Sequence, residues 1–213
     1  MNEMEDGVME KSKKKLFDKI APIYGMFYEI QRKNYAFVPE MMEKEGIFAP
    51  MQILDLGCGT GALLSVLEHA GYKVTGLDPA KEMLKVAMWK TREQNIRYYH
   101  LKNQDRLPFN DNSFDAVISS YVLHGMPEKE RMHLYREMKR VSRRKVIIHD
   151  YNDKRALHTS FIEYLEKGDY FRFIKVAKKE MSEVFGEVKT THVGKRAAWY
   201  VMHVEGPRIH ADK

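Results

Sequence analysis

The chain has 213 residues, 44% of them hydrophobic and 31% charged, which suits a single domain with one buried core. No run approaches the roughly 18 apolar residues that cross a bilayer, and residues 1–10 are polar and acidic with no apolar stretch after them, so neither a signal peptide nor membrane contact is expected. One cysteine, Cys58, excludes an internal disulfide framework and leaves too few thiols for structural zinc, and a cytoplasmic location follows as the expectation. The net charge of +6 gathers at Lys11–Lys15 and Lys139–Lys145. The second cluster falls at the end of a predicted helix, where cations compensate the macrodipole without any partner, so no nucleic acid is expected.

Residues 13–45 read as helical and aromatic, interrupted at Pro22 and Pro39. They lie outside the rhythm that follows, so residues 1–48 are expected to form a helical cover. From Met51 onward, short apolar runs alternate with amphipathic stretches, the pattern of βαβ units and a parallel sheet. Met51–Leu56 reads as a buried strand ending in glycines. A helix over Thr60–Ala70 follows, with Ala62, Leu63, Val66 and Leu67 inward and Gly71 as its stop. Tyr72–Leu77 is a second strand, and Asp78-Pro79 opens a helix reaching about Lys90. Ile96–His100 and Phe114–Ser120 are further strands. Pro127–Ser142 is a helix with Leu134, Met138 and Val141 on one face, and Lys145–Asp150 is the fifth strand. These residues, 49–150, form the expected cofactor-binding half. After Asp150 come helices over Ala156–Lys167 and Tyr170–Val184. Two runs rich in β-branched residues, Gly186–His192 and Arg196–Glu205, then join around Gly194 as a closing hairpin. The whole is expected to be one α/β domain.

The stretch Asp55-Leu56-Gly57-Cys58-Gly59-Thr60-Gly61-Ala62 carries the most chemistry. Closely spaced glycines after a strand let the backbone turn sharply and approach a ligand. Asp78 ends the second strand, where an acid can hold a ribose diol. Together they predict an adenosine-containing ligand over strands one and two. Gly57, Gly59 and Ala62 also satisfy the G-x-G-x-x-A nicotinamide fingerprint. Against that reading, Asp55 would repel a pyrophosphate but could help hold a cationic amino acid, and the chain is short for a separate substrate domain.

Ile53–Gly61 resembles the first motif of class I S-adenosylmethionine-dependent methyltransferases. Leu107-Pro108-Phe109 with Ser113–Val117 resembles the block around their fourth strand, and Val122-Leu123-His124 the segment after it. Leu16–Tyr24 is similar to the opening of the ubiquinone- and menaquinone-biosynthesis branch, except that Gly25 stands where an aspartate is usual. The resemblance implies a Rossmann-like, mostly parallel sheet of seven strands in the order 3-2-1-4-5-7-6, with strand 7 antiparallel and an N-terminal helical lid. It implies S-adenosylmethionine as cofactor and S-adenosylhomocysteine as product. Gly57, Cys58, Gly59 and Gly61 would form the cofactor loop, with Asp55 near the amino group and Asp78 on the ribose. Pro79 and Met83 would flank the adenine, with Asn103 or Asp105 and the Gln104 backbone reading it. Ser119 would approach the methionine moiety, and Tyr24 would close over the cofactor.

Methyl transfer needs alignment above all, and a base only where the acceptor must lose a proton. His124, after the fourth strand, and His149 with Asp150, at the end of the fifth, are the candidate catalytic residues, His124 foremost as general base. Cys58 belongs to the loop and is no nucleophile for RNA C5-methylation, and Ser119-Ser120-Tyr121-Val122 lacks the prolines of the N-methylating run. Asp150, Asn152 and Asp153 offer only a faint carboxylate cluster, and no metal is expected. The predicted covering helices carry Tyr24, Phe27, Tyr28, Tyr35, Phe161, Tyr164, Tyr170 and Phe171, which points to a partly apolar, aromatic small-molecule acceptor. The alternatives are an RNA or protein methyltransferase using the basic cluster, a non-catalytic S-adenosylmethionine-binding module, and a nicotinamide dehydrogenase.

Overall fold

The strands join in one seven-stranded sheet in the order β3-β2-β1-β4-β5-β7-β6, which is the order implied by the resemblance. The computed structural model describes residues 25–102, 106–152, 170–194 and 197–204. The helix expected over Ala156–Lys167 lies outside them. The chain divides into two compact units at Asp105/Arg106.

The first unit contains α1 (Tyr28–Tyr35), α2 (Val38–Lys44), β1 (Gln52–Leu56), α3 (Ala62–His69), β2 (Lys73–Asp78), α4 (Lys81–Lys90) and β3 (Ile96–His100). β1, β2 and β3 pair in parallel. β1 and β2 are buried along all but their first residue, as parallel strands covered on both faces must be. The interruption expected at Pro39 falls at Ala36 and Phe37, between α1 and α2, and Pro39 sits in the first turn of α2, where its missing N–H costs nothing. The inward face of α3 differs from the expectation. Val66 is half-buried, whereas Leu64 and Ser65 are buried with Ala62, Leu63 and Leu67. The reason is that α1 packs on α3 and covers a second stripe of it. Asp78-Pro79 does not open α4 either. The helix begins at Lys81, and the Asp78 carboxylate accepts the Ala80 N–H at 2.7 Å.

The second unit contains β4 (Phe114–Ser120), a 3-10 turn (Leu123–Gly125), α5 (Glu128–Val141), β5 (Ser142–Tyr151), α6 (Tyr170–Phe185), β6 (Val188–Val193) and β7 (Ala197–His203). β4 and β5 are parallel, while β7 runs antiparallel to both β5 and β6. β5 starts at Ser142 rather than Lys145. The register shifts between Phe114 and Ala116, where β5 carries one residue more than β4, and the strand follows α5 without a loop. Buried Arg131 joins α5 to α6: its Nε and Nη2 donate to Glu180 Oε2 and Oε1 at 2.8 and 2.6 Å. Its Nη1 also donates to the Met126 carbonyl, just after the 3-10 turn.

The basic cluster at the end of α5 is engaged within its own unit. Lys139 donates to the Val184 carbonyl at 2.7 Å. Arg140 pairs with Glu137 and Asp111 and donates to the carbonyls of Leu107 and Phe109. Arg143 pairs with Asp115 and donates to the Asn112 and Ser113 carbonyls. Among the described residues, no helix is long and apolar enough to cross a membrane.

Candidate functional site

The glycine loop follows β1 because its backbone enters the left-handed region three times, at Gly57, Gly59 and Gly61. Two of these positions are informative. A Cβ at Gly61 would lie 2.5 Å from the Tyr98 hydroxyl, so packing as well as φ demands glycine there. A Cβ at Gly59 would meet nothing within 4 Å, so the loop presents an open face at that residue. The Gly57 and Cys58 N–H groups donate to the Leu77 carbonyl at 2.8 and 3.2 Å. Asp78 then fastens the loop to β2: its Oδ2 accepts the Gly59 N–H at 2.8 Å while Oδ1 accepts Ala80. Thr60 ties the loop to α1 through the Gln31 side chain at 2.9 Å.

Asp55 is the anomalous group. It is 2% exposed, and its Oδ1 is buried with no hydrogen-bond partner. Burial, with the Asp78 charge adding to it, pushes its carboxyl up to about 8. A buried acceptor left unmatched is costly unless something arrives to satisfy it. The Cys58 thiol is buried too, which pushes its pKa up and makes it inert. Met83 is buried and Pro79 half-buried at the β2–α4 junction, where the Pro79 carbonyl lies 3.1 Å from His100 Nε2.

In the second unit, β4 and β5 end beside each other, and their C-terminal residues gather. His124 Nδ1 lies 2.8 Å from Asp150 Oδ1. Asp150 is buried, and it also accepts the Leu123 and His124 N–H groups at 3.1 and 3.3 Å and the Tyr151 N–H at 2.8 Å. One carboxylate therefore both shapes the 3-10 turn and orients the ring it carries. In the tautomer whose Nδ1–H donates to this carboxyl, Nε2 is the acceptor nitrogen of the ring. His149 is buried, with Nδ1 2.9 Å from the Ser120 hydroxyl. Burial drives its pKa down to about 4 against the opposing pull of Asp150. Ser119 is buried in β4.

Two tyrosine rings pack against the imidazoles of this cluster. Tyr121 stands edge-on to His149 at 4.8 Å and to Tyr151 at 5.3 Å, and His124 meets Tyr151 at 4.7 Å. Among the described residues only Asn112 and Tyr121 are non-glycines with positive φ, both at 55°. Asn tolerates that region, whereas a bulky tyrosine held there costs about 1–3 kcal/mol.

Residues 54–148 match the family model of a methyltransferase domain, a span that runs from β1 into β5 and carries the glycine loop, Asp78 and His124 but stops short of His149 and Asp150. That match takes in a little under half of the chain. Among curated relatives, the chain is 33% identical over 135 residues to a demethylmenaquinone methyltransferase of Lactiplantibacillus plantarum, covering 58% of this chain and 56% of that one. An uncharacterized methyltransferase of Staphylococcus carnosus is 28% identical over 120 residues, covering 54% and 56%. The chain thus spans a little over half the length of the curated relatives it matches. Among solved structures, a putative S-adenosylmethionine-dependent methyltransferase of Methanococcus maripaludis superposes with a TM-score of 0.69 at 18% identity, covering 87% and 92% of the two chains. The magnesium protoporphyrin IX methyltransferase of Synechocystis, solved with bound S-adenosylhomocysteine, gives 0.63 at 17% identity, covering 82% and 83%. Both likenesses concern the methyltransferase fold.

The structure brings Asp55, Gly57, Cys58, Gly59, Gly61, Asp78, Pro79 and Met83 together in the first unit, and Ser119, His124, His149 and Asp150 in the second. Tyr24, Asn103, Gln104 and Asp105 lie outside the described residues, as do Phe161 and Tyr164 and the side chains of Tyr170 and Phe171. Of the remaining covering aromatics, Tyr28 is buried and Phe27 is exposed. Sequence reasoning missed Gln31, Tyr121 and Tyr151. The two tyrosines did leave a signal, since each follows the last polar residue of a parallel strand.

Proposed function

We propose that this chain is an S-adenosylmethionine-dependent methyltransferase acting on a small molecule. The unmatched Asp55 carboxyl behind an open glycine loop carries the reading. The amino-acid end of S-adenosylmethionine brings an ammonium, the group a buried carboxyl without a partner calls for. Asp78, at the end of β2 and bonded to the Gly59 and Ala80 N–H groups beside the loop, stands where an acid can hold a ribose diol. Pro79 and Met83 would flank the adenine, with Asn103 and Gln104 reading its edge. Tyr24 would close over the cofactor, and Ser119 would approach its methionine moiety. When bound, the cofactor supplies an electrophilic sulfonium methyl, to which the acceptor atom bonds as the carbon–sulfur bond breaks with its electron pair left on sulfur.

His124 receives the acceptor's proton at Nε2 and later passes it to water. Asp150 fixes its tautomer and stabilises the imidazolium. His149, with its pKa near 4, is too weak a base for that task at neutral pH and serves as a neutral wall and a partner of Ser120. An RNA substrate finds little support, because Lys139, Arg140 and Arg143 are occupied inside the second unit.

Incubation with methyl-labelled S-adenosylmethionine, a panel of hydroxylated arenes and total RNA tests this. Label is expected in the organic extract, with kcat falling at least about 100-fold in His124→Gln, as loss of a general base does. Label in RNA, or none in any acceptor while the cofactor binds, would overturn the assignment.

A further inference from the structure

We propose that the first unit carries a second ligand site, separate from the glycine loop, that binds the phosphoryl group of a phosphate monoester. It is a hollow of about 350 Å3 bounded by α1, α3, the end of α4 and the residues after it. That volume lies within the range of about 300–1,000 Å3 that small-molecule sites occupy. α3 starts beside the glycine loop at Ala62, whereas the hollow is lined by Ser65 and by His69, the last residue of the helix, about 10 Å along its axis. The walls are fixed by their own hydrogen bonds. Gln94 donates to the Ser65 carbonyl at 3.1 Å and to Glu68 Oε2 at 2.8 Å, and the Asn95 N–H donates to Glu68 Oε1 at 3.1 Å, which pins the chain after α4 to α3. The Tyr28 hydroxyl is bonded to the Ser65 side chain and ties α1 to the same helix.

The charge of the hollow calls for an anion. Three full cations, Arg32, Lys90 and Arg92, line it against two carboxylates, Glu29 and Glu93. Both carboxylates are already engaged by guanidinium groups, Glu29 by Arg32 Nη1 at 3.2 Å and Glu93 by Arg92 Nη2 at 3.4 Å. Among the described residues Lys90 pairs with no carboxylate. Its Nζ stands over the rings of Tyr28 and Trp89, 5.3 and 5.0 Å from their centroids. Arg32 Nε is buried with no hydrogen-bond partner, although the side chain as a whole is 33% exposed. A buried guanidinium donor left unmatched is costly, and an arriving anionic oxygen removes that cost. The cations come from α1, from the last residue of α4 and from the chain beyond it. Such a spread suits a tetrahedral phosphoryl group, with oxygens pointing several ways, better than the single edge of a carboxylate. The rest of the lining, Ser65, His69 and Gln94, is polar and suits a hydroxylated body.

Two measurements at low ionic strength test the site: calorimetry with glucose 6-phosphate and with glucose, and flotation with phosphatidylcholine vesicles that carry or lack phosphatidic acid. The wild type is expected to bind glucose 6-phosphate at least about 10-fold more tightly than glucose, and Arg32→Gln/Lys90→Gln should lose at least about 10-fold of that affinity. The Tm of this variant and its affinity for S-adenosylhomocysteine should be retained. Lys33→Gln/Lys44→Gln removes two exposed cations that do not line the hollow, and it should bind as the wild type does. Should the first double variant fail to fold, Lys90→Gln alone takes its place, with a loss of about 3-fold or more. Binding to phosphatidic acid vesicles that is lost in Arg32→Gln/Lys90→Gln and kept in Lys33→Gln/Lys44→Gln supports the site and names a lipid headgroup as the source of the phosphate. Soluble binding without vesicle binding supports it and names a free phosphate ester. Failure of both phosphate-bearing probes to bind, equal binding of glucose 6-phosphate and glucose without vesicle binding, or equal losses in the two double variants overturns the site.

Discussion

Asp55 and His149 are both buried, and their displaced pKa values act on stability with opposite sign. Asp55 rises from an ordinary 3.8 to about 8. Between those values the folded protein keeps a proton that the unfolded chain has released, so this contribution to stability is full below about pH 4 and is lost as pH rises through 8. A cofactor ammonium reverses the preference and favours the carboxylate. Affinity for S-adenosylhomocysteine should therefore rise with pH between 6 and 8. Close to one proton should be released on binding at pH 7, read by calorimetry in buffers of different ionisation enthalpy. Asp55→Asn should remove both effects, and a pH-independent affinity in the wild type would contradict them. His149 falls from 6.5 to about 4. Its contribution is present above pH 6.5 and declines as pH falls toward 4, by about 3 kcal/mol. Urea unfolding of His149→Gln should show a shallower acid decline, and an identical slope would contradict the assignment. The sequence marked both residues by position, but the size and sign of their shifts depend on burial by chain elements distant in sequence.

At the scale of elements, the glycine loop was the most legible part, because left-handed backbone is a local requirement that glycine meets almost alone. Gly61→Ala should cost about 2–4 kcal/mol, combining the φ penalty with the collision against Tyr98. Thermal unfolding checks this, and an unchanged Tm would contradict it. Tyr121 was not legible, since its positive φ is set by a hydrogen bond to a strand 28 positions along the chain, His149. The second inward stripe of α3 was hidden for a similar reason: periodicity shows how apolar residues repeat but not that α1 packs on them. Arg131 also escaped notice among the 36 cations of the sequence. It is fully buried against Glu180 and holds the chain after the turn that carries His124. Arg131→Met should cost about 3–5 kcal/mol by leaving Glu180 buried and unpaired. The double variant Arg131→Met/Glu180→Leu should recover much of that loss. Equal loss in both variants would show that the pair itself contributes little.

Across the whole molecule, the strand order was readable because the motif order from Ile53 to Asp150 matched one known architecture, and the hairpin that places β7 between β5 and β6 followed from two β-branched runs around Gly194. The identity of the acceptor was not readable. Acceptor contacts come from strand ends and turns whose side-chain directions depend on tertiary contacts, while the cofactor contacts come from one continuous loop and one strand end. The cofactor loop therefore carries the most direct test: titration of S-adenosylhomocysteine into wild type and Asp78→Ala by calorimetry, with NAD(P)H titrated in parallel and the folding of the variant checked by circular dichroism. Micromolar binding to the wild type, weakened at least about 10-fold in a folded Asp78→Ala, with no NAD(P)H binding, is the predicted result. NAD(P)H binding in place of S-adenosylhomocysteine, or binding indifferent to Asp78, would contradict it.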